Sequence, residues 1–236
     1  MAEAVLGQAI VWDFEGTLAF RPGRFAGALV EAAEQTAGTV VPYDLIRPKL
    51  SPAFPWHGEH LAHPFAGNDV AWWRNVLHHS ARALEDFGVP PTQSAEAARR
   101  AQTIYLDAAG WQTMADAAEV LETLHGRGWA NVIMSNFAPE LDRLVVALGL
   151  DRLVLRSFSS ARVGYEKPHA AYFAHVQHEL WPLQPIWIGD TLEADIVGGR
   201  NAGLRTILVG AETTEADFVA QALANVPAIV GTPACK

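Results

Sequence analysis

Four short groups of residues in this sequence carry side chains that could do chemistry, and each closes or follows a run of apolar residues. The first is Asp13-Phe14-Glu15-Gly16-Thr17-Leu18, directly after QAIVW. Two carboxylates two residues apart can serve as a nucleophile and as a proton donor or acceptor. Gly16 lets the chain turn sharply against a ligand. The second group is Ser135-Asn136, at the end of NVIM. Both side chains can donate hydrogen bonds to an anion, and either could instead cap a following helix. The third is Lys167-Pro168, at the opening of a predicted helix. A cation there runs against the helix macrodipole and asks for an anionic partner. The chain has only three lysines (Lys49, Lys167 and Lys236), so the placement stands out. The fourth is Gly189-Asp190-Thr191-Leu192-Glu193-Ala194-Asp195. Its acids suit a hard divalent cation, or complement the dipole of a first helical turn.

The elements that must position these groups can be read from periodicity. Gln8–Asp13, Trp129–Ser135, Leu153–Phe158, Pro185–Asp190 and Arg205–Val209 are strand-length, rich in Val, Ile, Leu and aromatics, and bounded by polar residues or glycine. Val226–Val230 is expected to be a short edge strand. Several of these runs are continuously apolar, as strands buried on both faces of a parallel sheet are. Helical spacing marks Asp116–Arg127, Pro139–Gly149, His169–Leu180 and Glu193–Ala202 between them. That alternation implies an α/β fold with right-handed crossovers. The first three groups then fall at or just after strand ends, where open parallel sheets bind ligands, and so does Asp190. Residues 20–110 contain no convincing strand. Arg24–Ala37, Asp69–Phe87 and Ser94–Ala109 look helical, and 51–67, with Pro52, Pro55 and Pro64, reads as a loop. The expected organisation is a Rossmann-like, doubly wound parallel-sheet core over 1–19 and 111–236, with an inserted helical cap over 20–110.

Composition narrows the classes of partner. The 236 residues are half hydrophobic and 18% charged, which is globular rather than disordered composition. The net charge of −9 speaks against general binding to nucleic acid or anionic membranes. No stretch approaches the roughly 18 apolar residues needed to cross a bilayer. The lone Cys235 permits no internal disulfide, so a cytoplasmic setting is expected.

Taken in order, Asp-x-Glu-Gly-Thr, Ser-Asn, Lys-Pro and Gly-Asp-x-x-x-x-Asp resemble the four motifs of the haloacid dehalogenase-like hydrolase superfamily. The resemblance spans nearly the whole chain, and the helical insertion looks like that superfamily's α-helical cap of the first type. It implies a Mg²⁺-dependent phosphohydrolase acting on a small phosphorylated metabolite. Asp13 would be the nucleophile and would form an aspartyl-phosphate. Glu15 would protonate the leaving alcohol and then activate water. Ser135, with Asn136, would bind the phosphoryl oxygens, and Lys167 would neutralise charge shared by Asp13 and phosphate. Asp190, a carboxylate oxygen of Asp13 and the backbone carbonyl of Glu15 would ligate Mg²⁺, with Thr17 and Asp195 supporting them from behind.

Glu15 departs from the superfamily pattern, whose phosphatases usually carry Asp there. Its extra methylene carries the carboxyl about 1.5 Å further, and a general acid misplaced by ~1 Å can cost on the order of 100-fold. This leaves a non-catalytic member of the fold as one alternative. A 2-haloacid dehalogenase-type hydrolase is another, needing neither metal nor acid at position 15. A phosphotransferase is a third, and a phosphonatase would depend on Lys49. His57, His60 and His63 invite a zinc reading, but Pro55, Gly58 and Pro64 break the helix that would align them. Contact with substrate from this loop, or from Trp56, is the preferred expectation. Trp72, Trp73, Phe87 and Trp111 are expected in the core of the cap rather than as a platform for ligand.

Overall fold

The computed structural model describes residues 8–55 and 62–232. The chain opens with β1 (Gln8–Trp12) and a two-residue strand β2 (Ala19–Phe20). Four helices follow: α1 (Arg24–Ala37), α2 (Tyr43–Lys49), α3 (Asp69–Glu85) and α4 (Pro91–Leu106). Strand β3 (Gln112–Thr113) then pairs antiparallel with β2, so this small ribbon closes the helical segment at its base. Beyond it run α5 (Ala117–Gly126), β4 (Ala130–Ser135), α6 (Leu141–Ala147), β5 (Arg156–Ser159), α7 (Ser160–Val163), α8 (Ala170–Leu180) and β6 (Gln184–Gly189). A π-helical turn, Leu192–Val197, leads into α9 (Gly198–Asn201), and β7 (Arg205–Val209), β8 (Phe218–Ala220) and α10 (Val226–Val230) complete the described chain.

The main sheet has six parallel strands in the order β5-β4-β1-β6-β7-β8. The chain fills one side of β1 with β4 and β5, then crosses to fill the other with β6, β7 and β8. That reversal makes β1 the switch point, and a crevice opens beyond the carboxyl ends of β4, β1 and β6. Alternation along the strands serves both faces. Ile10, Trp12, Ile133 and Ile188 face one apolar cluster with Leu121, Leu124 and Leu141. Ala9, Val11, Val132, Met134 and Trp187 face another, built on Tyr172, Phe173, Val176 and Leu180 of α8. Both faces are covered, which is why the strand sequences read as continuous apolar runs.

In the helical segment, α1 packs on α4 and α4 on α3. Ala28, Ala32 and Ala33 of α1 and Ala97, Ala98 and Ala101 of α4 are buried, and these small residues allow close approach. Trp72 and Trp73 are buried among Phe25 and Phe54, and Trp111 is buried against Phe14, as expected of packing residues. Trp73 Nε1 also donates to the Glu140 carboxylate ahead of α6, tying the segment to the sheet layer. None of the described helices is long and apolar enough to cross a membrane.

The sequence reading needs correcting at several elements. Val226–Val230 is helix α10, not an edge strand; Pro227 sits in its first turn, where a missing N–H is harmless. Five apolar residues cannot be assigned by periodicity alone. The edge strand is instead β8, whose three residues pair with β7. Leu153–Phe158 is shifted to Arg156–Ser159. Helix α2 went unread because Pro48 interrupts its pattern. Helix α8 begins at Ala170 with His169 as its cap, so Pro168 precedes the helix rather than opening it. Helix α6 is preceded by Glu140, so neither Ser135 nor Asn136 is a helix cap.

One buried polar residue ties the sheet to its loops. Asn131 of β4 accepts from Trp12 Nε1 at 3.1 Å and donates to the Leu121 and Leu153 carbonyls at 2.9 and 3.1 Å. Replacing it with leucine would orphan three buried groups, each worth about 1–3 kcal/mol. Asn131→Leu should therefore lower stability by at least about 2 kcal/mol and Tm by roughly 4–8 °C. A denaturant titration and a thermal melt check this, and an unchanged midpoint would refute the role.

Candidate active site

Asp13 lies one residue past β1, yet its backbone N–H still donates to Ile188 O at 2.8 Å. The sheet pairing therefore fixes the residue at the mouth of the crevice. Ser135, the last residue of β4, donates from Oγ to Asp13 Oδ1 at 2.9 Å. Lys167 Nζ donates to the same oxygen at 2.5 Å and to Asp195 Oδ1 at 2.6 Å. Asp13 Oδ2 receives no hydrogen bond among the described residues. One carboxylate oxygen is thus clamped and the other left available.

The supporting contacts are equally specific. Asn136 holds the Lys167 backbone from both sides: its Nδ2 donates to Lys167 O at 3.0 Å, and its Oδ1 accepts from Lys167 N at 2.7 Å. The Asn136 amide is therefore engaged in placing Lys167. Asp195 Oδ2 accepts from Thr191 N at 3.0 Å, so both its oxygens are occupied. Thr17 Oγ1 donates to Asp190 Oδ1 at 3.4 Å. Gly16 has φ +112°, and a Cβ there would come within 2.4 Å of Asp190 Oδ2. At Gly189 a Cβ would meet the Asp195 carboxyl carbon at 2.2 Å. Both glycines exist here for close approach of backbone to carboxylate.

The electrostatics follow from crowding charges out of water. Burial alone would lower Lys167, but Asp13 and Asp195 outweigh it and hold the ammonium above its usual range. Burial pushes Asp195 upward against the pull of Lys167. Burial and the neighbouring Asp13 raise Asp190. Glu15 is pushed up to about 7, chiefly by burial, with Arg24 pulling it down and Asp13 adding to the rise. Its carboxyl is therefore poised to hold or release a proton near neutrality.

Asp13, Asp190 and Asp195 each offer an oxygen within 4.8 Å of the others. An oxygen-only donor set with one ammonium against three carboxylates fits a hard divalent cation. Among the described residues the Glu15 carbonyl accepts none of the backbone hydrogen bonds of the turn that Phe14, Gly16 and Ala19 make around it.

A cavity of about 700 Å³ brings together Asp13, Glu15, Ser135, Asn136, Lys167 and Asp195 with Arg24, Phe25, Tyr43, Arg47, Phe54 and Tyr105. Another hollow, of about 770 Å³, runs along α3 and α4 past Trp73, Leu77 and Arg99 and contains none of the motif residues. Lys49 does not line the site cavity; it pairs with Asp86 at 2.6 Å on the surface. His63 is buried against Ser160 and Glu166 rather than facing the cavity. His57, His60 and Trp56 lie outside the described residues. Sequence reasoning missed Tyr105, whose hydroxyl donates to Glu15 Oε2 at 3.5 Å, and Arg24, whose charge acts on Glu15. Tyr105 is 90 positions from its partner, and no local pattern distinguishes it from a packing residue of α4.

Comparison with known proteins bears on the fold and the family. The chain is 24% identical over 217 residues to the mouse haloacid dehalogenase-like hydrolase domain-containing protein 3, covering 89% of this chain and 84% of that protein. A shorter match, 32% over 75 residues, covers 31% of this chain and 33% of the glyceraldehyde 3-phosphate phosphatase of Methanothermobacter thermautotrophicus. Among solved structures, the HAD-hydrolase YfnB from Bacillus subtilis, bound to magnesium, superposes with a TM-score of 0.73 at 18% identity, covering 94% of this chain and 98% of that one. A 2-haloacid dehalogenase from Pseudomonas syringae gives a TM-score of 0.68 at 18% identity, covering 94% and 97%. The model of the haloacid dehalogenase-like hydrolases matches residues 8–203, and the chain belongs to that family of hydrolases.

Proposed function

We propose that this chain is a Mg²⁺-dependent phosphohydrolase that cleaves a small phosphorylated metabolite through an aspartyl-phosphate on Asp13. The observation that carries the reading is the pair of carboxylates Asp13 and Asp190, with Asp195 behind them bonded to Lys167 and the Thr191 N–H, beside an open Asp13 oxygen. A haloacid displacement needs no cation there, because no phosphate charge has to be offset, and no acid, because halide leaves without protonation. Glu15 adds support: a carboxyl that can carry a proton near neutrality suits an alkoxide leaving group.

In this reading Asp13 Oδ2 attacks phosphorus and the bond from phosphorus to the ester oxygen breaks. Glu15 gives its proton to that oxygen as the alcohol departs. Glu15 then takes a proton from water while the water oxygen attacks phosphorus, and the bond to Asp13 breaks to release phosphate. Ser135 and Lys167 keep Asp13 Oδ1 in place throughout, and Lys167 offsets the charge that gathers on the phosphoryl oxygens. Mg²⁺ would be held by Asp13, Asp190 and the Glu15 carbonyl, and would lower the repulsion between carboxylate and phosphate. The helical segment of residues 20–110 acts as a cap, contributing Arg24, Tyr43, Arg47 and Tyr105 to the cavity wall. A cavity of about 700 Å³ admits a metabolite rather than a polymer, and we place the activity in the cytoplasm.

Two measurements test this. Phosphate release from an aryl phosphate should require Mg²⁺, stop with a chelator, and vanish in Asp13→Asn. Metal-independent halide release from a 2-haloacid would sink the reading in favour of a dehalogenase. Glu15→Gln, which keeps shape but holds no exchangeable acid, should lower kcat by about 10²–10⁴-fold. A Gln variant as active as the native enzyme would remove Glu15 from proton transfer.

A further inference from the structure

The reaction above leaves one buried carboxyl without a task. Glu166, next to Lys167, is wholly buried, and among the described residues neither of its oxygens makes a hydrogen bond of ordinary geometry, although the Ser160 hydroxyl interacts with it. Such a group is costly unless something in the structure uses it. What faces it is a loop from the helical segment. His63 is buried too, with Nε2 3.1 Å from Ser160 O and 3.6 Å from Glu166 Oε1. His63 Nδ1 accepts from Phe65 N at 3.3 Å, and His63 N donates to Gly164 O at 3.1 Å. An Nδ1 that accepts carries no proton, so Nε2 carries it and the ring is neutral. A neutral imidazole cannot balance an ionised Glu166. The other groups facing Glu166 are the Ser160 hydroxyl, the Lys167 ammonium and the Tyr172 phenol of α8. That ammonium is already taken by Asp13 and Asp195, and Tyr172 Oη lies against the Ser135 and Phe158 carbonyls.

We propose that Glu166 is a positioning residue for Lys167: as a neutral acid, packed between His63 and the turn that carries Lys167, it latches the helical segment onto that turn, and its ionisation releases the latch. Burial favours the same state, pushing Glu166 up to about 8, with Ser160 and Lys167 pulling it down only in part. The turn beyond is held as well, since His169 N donates to Glu166 O at 2.7 Å. The peptide carrying Lys167 is thus gripped by Asn136 through Lys167 itself and by the latch through Glu166. The proposal rests on the reading of Lys167 as a phosphate ligand.

Linkage gives a test that does not depend on turnover. Between the ordinary glutamate value near 4.5 and about 8, the folded chain holds a proton at Glu166 that the unfolded chain has lost. Stability from this group is therefore complete at low pH and falls as pH rises through that window. Glu166→Gln is neutral at every pH and lacks this slope, while slopes from Glu15 and other groups are common to both proteins and cancel. The Tm of E166Q minus that of the native protein should widen by several degrees from about pH 5 to about pH 8, then level off. A gap that stays constant, or an E166Q protein that loses most stability at neutral pH, means an ionised Glu166 paired with His63 and overturns the proposal. Calorimetry with inorganic phosphate and Mg²⁺ tests positioning. Glu166→Ala should bind about tenfold more weakly and E166Q within about threefold of native; native affinity in E166A refutes it. Should E166A fail to fold, native protein at about pH 9 should bind about tenfold more weakly than E166Q, and equal affinities refute it. A native protein that binds no phosphate at any pH counts against the phosphatase reading, and the stability comparison still decides the latch.

Discussion

The site depends on one buried ammonium. Lys167 Nζ sits between Asp13 and Asp195, both buried, at 2.5 and 2.6 Å. A cation and two carboxylates taken out of water are tolerated only when geometry and additional hydrogen bonds compensate. Here Ser135 supports Asp13 and the Thr191 backbone supports Asp195. Losing one member would leave an uncompensated buried charge, at a cost of about 3–5 kcal/mol. The same bonds that stabilise the fold therefore orient Asp13, and Lys167 must be met by one segment 154 positions before it and another 28 positions after it.

That constraint explains other choices nearby. Asp195 rather than Asp190 pairs with Lys167, which leaves Asp190, raised by burial and held by the Thr17 and Thr191 hydroxyls and its own backbone N–H, as the freer oxygen donor. Gly16 and Gly189 sit where any side chain would collide with these two carboxylates. Asn136 fixes Lys167 through its backbone, so the lysine does not rely on its long, flexible stem for direction. In a chain of net charge −9 this point sets one ammonium against three carboxylates, so a cation on the acidic triad would be needed before an anion could be held there.

What could be read in the sequence was whatever is local. Asp13, Ser135 and Asp190 announce themselves because parallel strands end where polar residues begin, Lys167 because a rare lysine stands ahead of a helix although α7 separates it from β5, and periodicity located five of the six sheet strands. The sixth, Phe218–Ala220, is too short to show a pattern and exists through its pairing with Arg205–Val209. Asn136 was legible as a polar residue at a strand end, but its partner is the backbone of a residue 31 positions on. Glu166 looks like any surface glutamate. Its burial comes from a loop some hundred residues earlier, and sequence proximity carries no trace of that.

Glu15 shows how such long-range placement bears on chemistry. The extra methylene relative to aspartate carries the carboxyl away from the turn and toward Tyr105 of α4, whose hydroxyl reaches Oε2 at the long end of hydrogen-bonding range. The other oxygen is buried and has no hydrogen-bond partner among the described residues. An aspartate, about 1.5 Å shorter, would sit closer to Asp13 and further from the helical segment. Glu15 is thus held between Asp13 and α4, and its desolvation depends on where that helix lies. Tyr105 is itself packed among Phe25, Trp111 and Phe137, so it spans the aromatic contact between helical segment and sheet. Any movement of α4 would rehydrate Glu15 and lower its proton affinity, which makes the poise of the acid a consequence of how the helical segment is seated.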